Sequence, residues 1–418
     1  MTMNTRGLRA ASTLATVMLG CWLVSAPAGA GEAAFESAAT LAASELLPQQ
    51  VLRGPHHSVQ EGVHNDGFLN TYIIESSWGL LKATSTPLLL QYIDELNAVA
   101  RMEAVRGSDE FKQGMSEKVR DVARGAKRLV TDPIDSVTGI AAGVGSLFRR
   151  AGEAMHDDRS DYEGSRLAAV SGYASVKRDY AKEFGVDVYS RNPVTQKALE
   201  DLVDAGYAGK MTMAALVVAV PGAAGAAVSV SGNSQMLKNI ASDLPPNELR
   251  QRNRDALAAM KVPADIADVF IANAVYTPRE QTTIIEDLRA LDGVEGRPLF
   301  VKLAVATETP DIAFFRQRQA SMYAAYHANG GKLARFVPMG TTAASVTADG
   351  TLVFAAPVDL LRWTPEIASF ADAASTAAAG AAGVKARRLL LGGKASAMAR
   401  TQLEQRGWEV VEHSGKGA

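Results

Sequence analysis

Apolar residues recur at every third or fourth position in two stretches of the central part of the chain. The first stripe is made of Leu89, Tyr92, Ile93, Leu96 and Val99, and the second of Ile312, Phe315, Met322, Tyr323 and Tyr326. This spacing places the apolar side chains on one face of a helix. Both stretches are therefore predicted to be amphipathic helices.

Five pairs of a small polar residue and a proline mark predicted helix starts: Thr86-Pro87, Asp132-Pro133, Asn192-Pro193, Thr277-Pro278 and Thr309-Pro310. The polar side chain accepts a hydrogen bond from an amide of the first turn, and proline suits the first helical position because its missing N–H costs nothing there. The signal is strongest at Thr277, because Glu280 completes a capping box. The starts are unevenly spaced, so the pattern predicts a multi-helix assembly without a structural repeat.

Alternation of β-branched and aromatic residues predicts strands before and after the helical region. Residues 69–86 alternate around a Ser-Ser-Trp-Gly break, which is typical of a hairpin. After Gly330-Gly331, two apolar runs around Asp349-Gly350 predict a second hairpin.

The C-terminal part of the chain adds a helix and a strand–helix–strand unit. The helix is predicted to start at Thr364-Pro365 and to lead into an Ala/Gly-rich connector over residues 373–383. Residues 387–412 then indicate strand, helix and strand, with Ser396 as the N-cap and Gly407 as the C-terminal stop of the helix.

The expected fold class is α+β: a predominantly α-helical multi-helix domain preceded by a β-hairpin, with a small C-terminal α/β domain. The predicted organisation is a signal peptide over 1–30, a linker over 31–66, the hairpin plus multi-helix domain over 67–332, and the α/β domain over 333–418. The linker assignment rests on a composition that begins Ala-rich and becomes polar with glycines.

The first 30 residues are predicted to be a secretory signal peptide. Arg6 and Arg9 precede an apolar run around Leu14 to Val24, and small residues end at Ala30 in an A-x-A pattern. A membrane anchor is the less favoured alternative, because the run is too short to span a bilayer. Lipid attachment at Cys21 is a second alternative, which the apolar residues after the cysteine disfavour. The protein is expected in the periplasm or the cell envelope.

Charge and cysteine content exclude some classes of function. Loss of Arg6 and Arg9 with the signal leaves 41 basic and 45 acidic residues, a net charge of −4, which is too near neutral to indicate nucleic-acid binding. Cys21 is the only cysteine, so no disulfide can stabilise the mature chain. A chain of this length buries enough apolar surface to fold without one.

Two segments raise the question of membrane contact. Residues 211–230 are uncharged and long enough to cross a bilayer, but Pro221, glycines and polar residues oppose insertion. A helix pair in the protein core is favoured there, and a helical hairpin at a membrane is the alternative. Residues 133–150 are likewise interpreted as an amphipathic helix that faces the core, with a membrane-surface helix as the alternative.

A candidate anion-binding site follows the predicted strand at Leu389. Ligands in α/β sheets bind beyond the carboxyl ends of strands, where the next helix points its amides outward. Gly392, Gly393, Lys394 and Ser396 occupy this position. The spacing is not that of a Walker motif, and a surface turn with a solvated lysine is the favoured alternative. A run of arginines in the segment "NELRQRNRD" is interpreted as a solvated helix face: Arg250, Arg252 and Arg254.

A polar stretch from Gly54 to Gly67 contains three of the six histidines, His56, His57 and His64, together with Asp66. We expect no metal site there. Adjacent histidines in an extended chain point to opposite faces, and a glycine-flanked loop offers no outer shell to orient the imidazoles. Asn65-Asp66-Gly67 is predicted to be the turn that starts the hairpin, with Asp66 bonding its own backbone.

No motif in the sequence identifies a chemistry. G-x-S-x-G and H-E-x-x-H are absent, and the mature chain has no cysteine, although paired carboxylates would leave no local pattern. The sequence indicates no cofactor, no catalytic residue and no partner beyond the membrane alternative for residues 211–230. The leading hypothesis is an exported cell-envelope protein with a binding or structural role. The alternative is an envelope enzyme with an anion site in the C-terminal α/β region.

We expect export to remove residues 1–30, so that the mature chain begins at Gly31. Mass spectrometry of the intact protein recovered from the cell envelope measures this directly. A diacylglyceryl group on Cys21, or a retained N-terminal segment, would contradict the prediction.

Overall fold

The computed structural model describes residues 35–37, 39–108, 173–208 and 244–414. Four features of the sequence analysis lie outside these residues: the signal peptide, the helix start at Asp132-Pro133, and the segments 133–150 and 211–230. The described residues confirm the α+β class, with an antiparallel sheet at the N-terminal end, helices in the middle and a mixed sheet at the C-terminal end.

The N-terminal sheet contains six strands and two short helices. The strands are β1 (Ala39–Ala42), β2 (Arg53–Gly54), β3 (His57–Val59), β4 (Gly62–Asn65), β5 (Asn70–Ser76) and β6 (Gly79–Thr84), and the helices are α1 (Ala43–Leu46) and α2 (Gln49–Leu52). Strand β5 is central. It pairs along its length with β6, and its other edge pairs with β4 and β3.

The predicted hairpin is confirmed as β5 and β6, but the linker interpretation is wrong for residues 39–66. These residues form β1 to β4 and the two short helices, all within the same sheet. Strands β3 and β4 contribute one buried apolar side chain each, Val59 and Val63, and β1 and β2 contribute none. Strands this short leave no alternating run in the sequence. Pairing of β3 and β4 with the long β5, and of β1 and β2 with β4 and β3, stabilises them.

In the described residues, eight helices follow: α3 (Thr86–Gly107), α4 (Tyr173–Phe184), α5 (Pro193–Ala208), α6 (Pro246–Ala259), α7 (Ala264–Ala272), α8 (Pro278–Ala290), α9 (Arg297–Ala304) and α10 (Pro310–Tyr326). The predicted starts of α5, α8 and α10 are confirmed, and the capping box at Thr277 and Glu280 is present. At α3 the N-cap is Ser85, one residue before the predicted Thr86.

The C-terminal sheet has five strands in the order β13-β11-β9-β8-β7. Its strands are β7 (Leu333–Met339), β8 (Thr342–Thr347), β9 (Thr351–Ala356), β11 (Ala386–Leu391) and β13 (Trp408–Val411). Strands β9, β11 and β13 are parallel, and β7 and β8 extend the sheet in antiparallel fashion. The short strands β10 (Leu360–Leu361) and β12 (Lys394–Ala395) pair separately and in parallel.

Two helices complete this part of the chain, α11 (Pro365–Gly380) and α12 (Ala397–Gln405). The predicted second hairpin, the caps at Thr364 and Ser396 and the strand–helix–strand unit are confirmed. The connector predicted over residues 373–383 is wrong, because α11 continues to Gly380. Alanine is the best helix former, and Ala374 and Ala378 are buried against the sheet.

Both faces of the C-terminal sheet are covered, and this explains its apolar strands. Val353, Ala355 and Leu390 pack in one hydrophobic cluster with helices α6 to α10. Residues adjacent to these in sequence point the other way, so that Leu352, Phe354, Leu389 and Leu391 pack in a second cluster with α11 and α12. The result is a sheet between two layers of helices.

Helix α10 inserts polar side chains where strands β8 and β9 separate. Their ladder is confined to two residue pairs, Ser345 with Val353 and Val346 with Leu352. Beyond it, the Tyr323 hydroxyl donates to the carbonyl of Ala343 (2.8 Å) and accepts from the amide of Ala355 (3.1 Å). The Gln319 amide donates to the Ala355 carbonyl at 2.8 Å. Side chains of α10 thus replace backbone hydrogen bonds that the sheet lacks.

A buried glutamate joins α3 to the start of α5. The Glu95 carboxylate is 3% exposed and accepts hydrogen bonds from Gln91 Nε2 (2.9 Å) and Thr195 Oγ1 (3.2 Å). Burial raises the pKa of Glu95 to about 7, although hydrogen bonds from Gln91, Ser190 and Asn192 oppose the rise. The hydrogen bonds from Gln91 and Thr195 thus hold this carboxylate inside the helical layer and link the two helices.

The loop over residues 185–192, which connects α4 and α5, also reaches the later helices. Arg191 forms an ion pair with Glu280 at 2.6 Å and donates to the carbonyls of Val275 (2.7 Å) and Pro310 (2.8 Å). Burial raises the pKa of Glu280 to about 7, and the charge of Arg191 opposes this rise. The loop therefore ties α3 and α5 to the starts of α8 and α10.

We expect the free energy of unfolding to fall as the pH rises from about 4.5 to about 7, partly because of Glu95. Its pKa is higher in the folded than in the unfolded chain, so the folded state retains a proton that the unfolded state has lost. Such a group contributes a slope of at most about 1.4 kcal/mol per pH unit. The variant Glu95→Gln should flatten this dependence.

Urea unfolding at several pH values across this range measures the slope. Glu308→Gln, at an exposed glutamate before α10, is the matched control and should leave the slope unchanged. If Glu95→Gln and the wild type gave the same slope, the assignment to Glu95 would be wrong.

Candidate functional site

The three parallel strands β9, β11 and β13 end at one edge of the C-terminal sheet. The residues that follow them are Val358-Asp359, Gly392-Gly393 and Glu412-His413. We call this region the carboxyl edge. Ligands of open α/β sheets bind at such an edge, beyond the carboxyl ends of the strands. The four anion-binding candidates of the sequence analysis all lie here.

Three of these candidates, Gly392, Gly393 and Lys394, form a tight turn that joins β11 to β12. The amide of Gly392 donates to the Ala356 carbonyl (2.9 Å), and the amide of Lys394 donates to the Asp359 carbonyl (3.0 Å). A Cβ at Gly393 would overlap the same Asp359 carbonyl, so only glycine fits. The Lys394 side chain is exposed and forms no hydrogen bond with the residues that the structure describes.

Ser396, the fourth candidate, contacts a carboxylate. Its hydroxyl accepts from the Ala399 amide at 3.0 Å, which caps α12, and donates to the carboxylate of Glu36. The same carboxylate accepts from the amide of Trp363 at 2.7 Å and lies 3.5 Å from the guanidinium of Arg362. An anionic group is therefore bound at the start of α12, where the helix dipole favours negative charge.

A second carboxylate, that of Glu412, lies near the first turn of α12. It accepts from the Ala395 amide at 2.9 Å and pairs with Arg400 at 2.5 Å. Partial burial opposes ionisation, but the Ala395 amide and the Arg400 guanidinium outweigh it and lower the pKa of Glu412. Amides, a hydroxyl and guanidinium groups thus make the carboxyl edge favourable for anions.

Asp359, next to this turn, is a partly buried carboxylate that the sequence analysis missed. Its two oxygens accept from the amides of Asn70 (2.9 Å) and Thr86 (3.0 Å), so the carboxylate lies at the N-terminus of α3. Burial raises the pKa of Asp359, while these amides and the positive charge of Arg318 oppose the rise. Burial also lowers the pKa of Arg318, against the attraction of Asp359.

A chain of polar side chains leads from Asp359 into the N-terminal sheet. The Asn65 amide donates to Asn70 Oδ1 (2.9 Å), and the Asn70 amide donates to the Tyr72 hydroxyl (3.0 Å). That hydroxyl lies 2.8 Å from Thr86 Oγ1, and burial raises the pKa of Tyr72 to about 12. The signal in the sequence is Asp359 itself, the one charged residue between Thr351 and Leu361.

The histidine-rich stretch is built into the N-terminal sheet. His57 is buried and its Nε2 lies 3.0 Å from the Val51 carbonyl, while the His56 ring lies 5.8 Å from that of Trp78. Asp66 Oδ1 accepts from the amides of Phe68 (2.9 Å) and Leu69 (2.8 Å), which confirms the predicted turn. Among the described residues, no group of three or more His, Cys, Asp or Glu side chains is arranged to hold a metal ion.

The arginines of α6 differ from the predicted solvated face. Arg250 is 7% exposed, so that interpretation is wrong for this residue. Arg252 pairs with Glu286 at 3.2 Å and Arg254 with Asp268 at 2.9 Å. Ion pairing with α8 and α7 holds the helices together and uses the charge that an external anion would need.

An apolar cavity of about 30 Å³ lies between the C-terminal sheet and helices α11 and α12. Its walls include Phe315, Phe354, Phe370, Leu403 and Trp408, and they expose no polar surface. Pockets for small molecules measure roughly 300–1,000 Å³ and present a few polar groups. We interpret this cavity as a packing gap in the core.

Comparison of the chain with models of protein families, with curated proteins and with solved structures finds no match in any of the three. In the part of the chain that the structure describes, no helix combines the length and apolar character needed to cross a bilayer. The carboxyl edge is therefore judged on its own geometry.

We expect Gly393→Ala to lower the free energy of unfolding by about 1–3 kcal/mol, the usual cost of forcing an extra carbon into a packed site. The added methyl would overlap the Asp359 carbonyl and separate the turn from β10. Gly380→Ala is the matched control, because a Cβ at Gly380 meets no atom within 4 Å. Equal urea-unfolding midpoints for the two variants would show that the turn tolerates a side chain.

Proposed function

We propose that the protein is an exported cell-envelope binding protein that recognises an anionic group at the carboxyl edge of its C-terminal sheet. The observation that carries the proposal is the carboxylate of Glu36 on the hydroxyl of Ser396, the amide of Trp363 and the guanidinium of Arg362. These donors do not belong to one local turn, since Ser396 lies more than 30 residues after Arg362 in the sequence. Together these donors already bind a carboxylate, which is the kind of group that the proposal concerns.

The exposed Lys394 extends the same surface. Its ammonium lies on the strand that precedes Ser396 and has no partner among the described residues. A partner that carries a second negative charge could pair that charge with the Lys394 ammonium. Lysine at the rim of a site increases the rate of association with an anionic partner more than it increases the affinity.

A binding role is favoured over catalysis because the reactive groups at the edge are already engaged. Ser396 caps α12 and contacts Glu36, and both oxygens of Asp359 accept backbone amides. A catalytic nucleophile or base must reach a reacting atom at about 3 Å, and it needs an adjacent group to move its proton. In the described residues, no such free pair faces the carboxyl edge.

Export is the second part of the proposal and rests on the N-terminal sequence, with its positive, apolar and small-residue regions in succession. An exported protein meets partners in the envelope, so the anion belongs to an envelope molecule. Membrane contact through residues 211–230 remains the alternative that the sequence offers for holding the protein near such a partner.

We expect a photo-reactive amino acid at position 394 to cross-link to an envelope component in cells of the source organism. The control is the same amino acid at position 302, where Lys302 is exposed on α9, away from the carboxyl edge. Adducts that form at 394 and not at 302 would support the proposal. Equal adducts at both positions, or none at 394 in the envelope fraction, would contradict it.

A further inference from the structure

The N-terminal residues Phe35–Ser37, here called the strap, lie across the start of α12. Glu36 makes most of their recorded contacts. Its amide donates to the Trp363 carbonyl at 2.7 Å, and its carboxylate accepts from the Trp363 amide at 2.7 Å. The carboxylate also accepts from the Ser396 hydroxyl and lies 3.5 Å from Arg362. One glutamate therefore satisfies both backbone groups of Trp363.

The rest of the strap is weakly held. Phe35 is 48% exposed, a large fraction for an aromatic side chain, and Ser37 is also exposed. Within the part of the chain that the structure describes, the strap makes one further hydrogen bond, of 3.2 Å from Arg362 Nε to the Ser37 carbonyl. Apolar burial contributes little, so the strap is held by polar contacts, and the carboxylate of Glu36 makes three of them, with Trp363, Ser396 and Arg362.

The groups that receive Glu36 are held in position by elements other than the strap. Trp363 lies in the segment between β10 and α11, where Thr364 caps α11, and Ser396 is fixed as the cap of α12. Both helix starts therefore hold the donors in position without the strap. A site whose donors are fixed by the fold loses little entropy when it binds a ligand.

We propose that the start of α12 is a recognition site for a glutamate in an extended peptide segment, and that Glu36 is its resident ligand, which an external glutamate displaces. This inference rests on the proposed function, because it names the chemistry of the anion. The arrangement selects glutamate in an extended chain, since a single residue must donate its amide to the Trp363 carbonyl while its carboxylate reaches the Trp363 amide and Ser396. A free carboxylate such as acetate can satisfy only the second set of contacts.

The test uses the full chain with Glu36→Ala, which empties the carboxylate site and retains every receiving group. The probe is a fluorescent peptide of residues 31–38, GEAAFESA. The control peptide is GEAAFQSA, in which glutamine replaces Glu36 and Glu32 is kept. We expect saturable binding of GEAAFESA to Glu36→Ala. The glutamine peptide should bind roughly tenfold or more weakly, because charge-assisted hydrogen bonds are lost.

The wild type should bind GEAAFESA at least about tenfold more weakly than Glu36→Ala, because its own strap competes at a high effective concentration. Glu45→Ala, at an exposed glutamate of α1, is the control and should behave as the wild type. Adding Ser396→Ala to Glu36→Ala should abolish binding. If that variant is unstable, adding Arg362→Gln in its place should weaken binding while circular dichroism stays unchanged.

Equal binding of the two peptides, or no binding to a folded Glu36→Ala variant, would overturn the inference. Competition with acetate distinguishes recognition of a glutamyl peptide from recognition of any carboxylate. If acetate displaces the fluorescent peptide at the same concentration as unlabelled GEAAFESA does, the site recognises a carboxylate alone and the peptide assignment is wrong. Cross-linking at position 394 with failure of peptide binding would leave the proposed function standing and remove only this inference.

Discussion

The carboxylate of Asp359 is the constraint on which the arrangement of the two sheets depends. One residue binds the start of β5 through the Asn70 amide, the start of α3 through the Thr86 amide, and β12 through its own carbonyl. Its amide donates to the Phe68 carbonyl, which precedes β5. A buried carboxylate is costly unless its hydrogen bonds are made, so these segments are held in one relative position. The relative position of these segments determines the shape of the carboxyl edge.

Polar side chains play a similar part elsewhere in the interior. Tyr323 and Gln319 replace backbone hydrogen bonds between β8 and β9, and Glu95 and Arg191 join helices from distant parts of the sequence. Apolar packing alone tolerates small shifts of one helix along another. A fully paired polar group does not, because a shift leaves a donor or acceptor unsatisfied. Hydrophobic clusters thus supply stability, and these contacts select one packing.

Local chemistry explains what the sequence predicts well. Caps at Thr277, Thr309, Thr364 and Ser396 and the Asp349-Gly350 turn depend on neighbours within four residues, so they are visible in the sequence. Strands β1 to β4 are too short for a periodic pattern, and an alanine-rich helix resembles a connector.

At the candidate site, the sequence places Ser396 and Gly393 at the carboxyl edge because they follow a recognisable strand. The roles of Glu36 and Asp359 are not visible in the sequence, because the amides and the hydroxyl that donate to their carboxylates lie 273 to 360 residues away.

The same separations determine when the native contacts can form during synthesis. The strands of the N-terminal sheet pair among residues 39–84, but the contacts of this sheet with Asp359 and of the strap with Ser396 cannot form until nearly the whole chain exists. Contacts between such distant residues form slowly, since the intervening chain must be ordered first. Until Asp359 and Ser396 have been synthesised, a nascent chain lacks these contacts. The order of residues along the chain therefore delays these polar contacts to the last stage of synthesis, after the strands and helices that they join have been made.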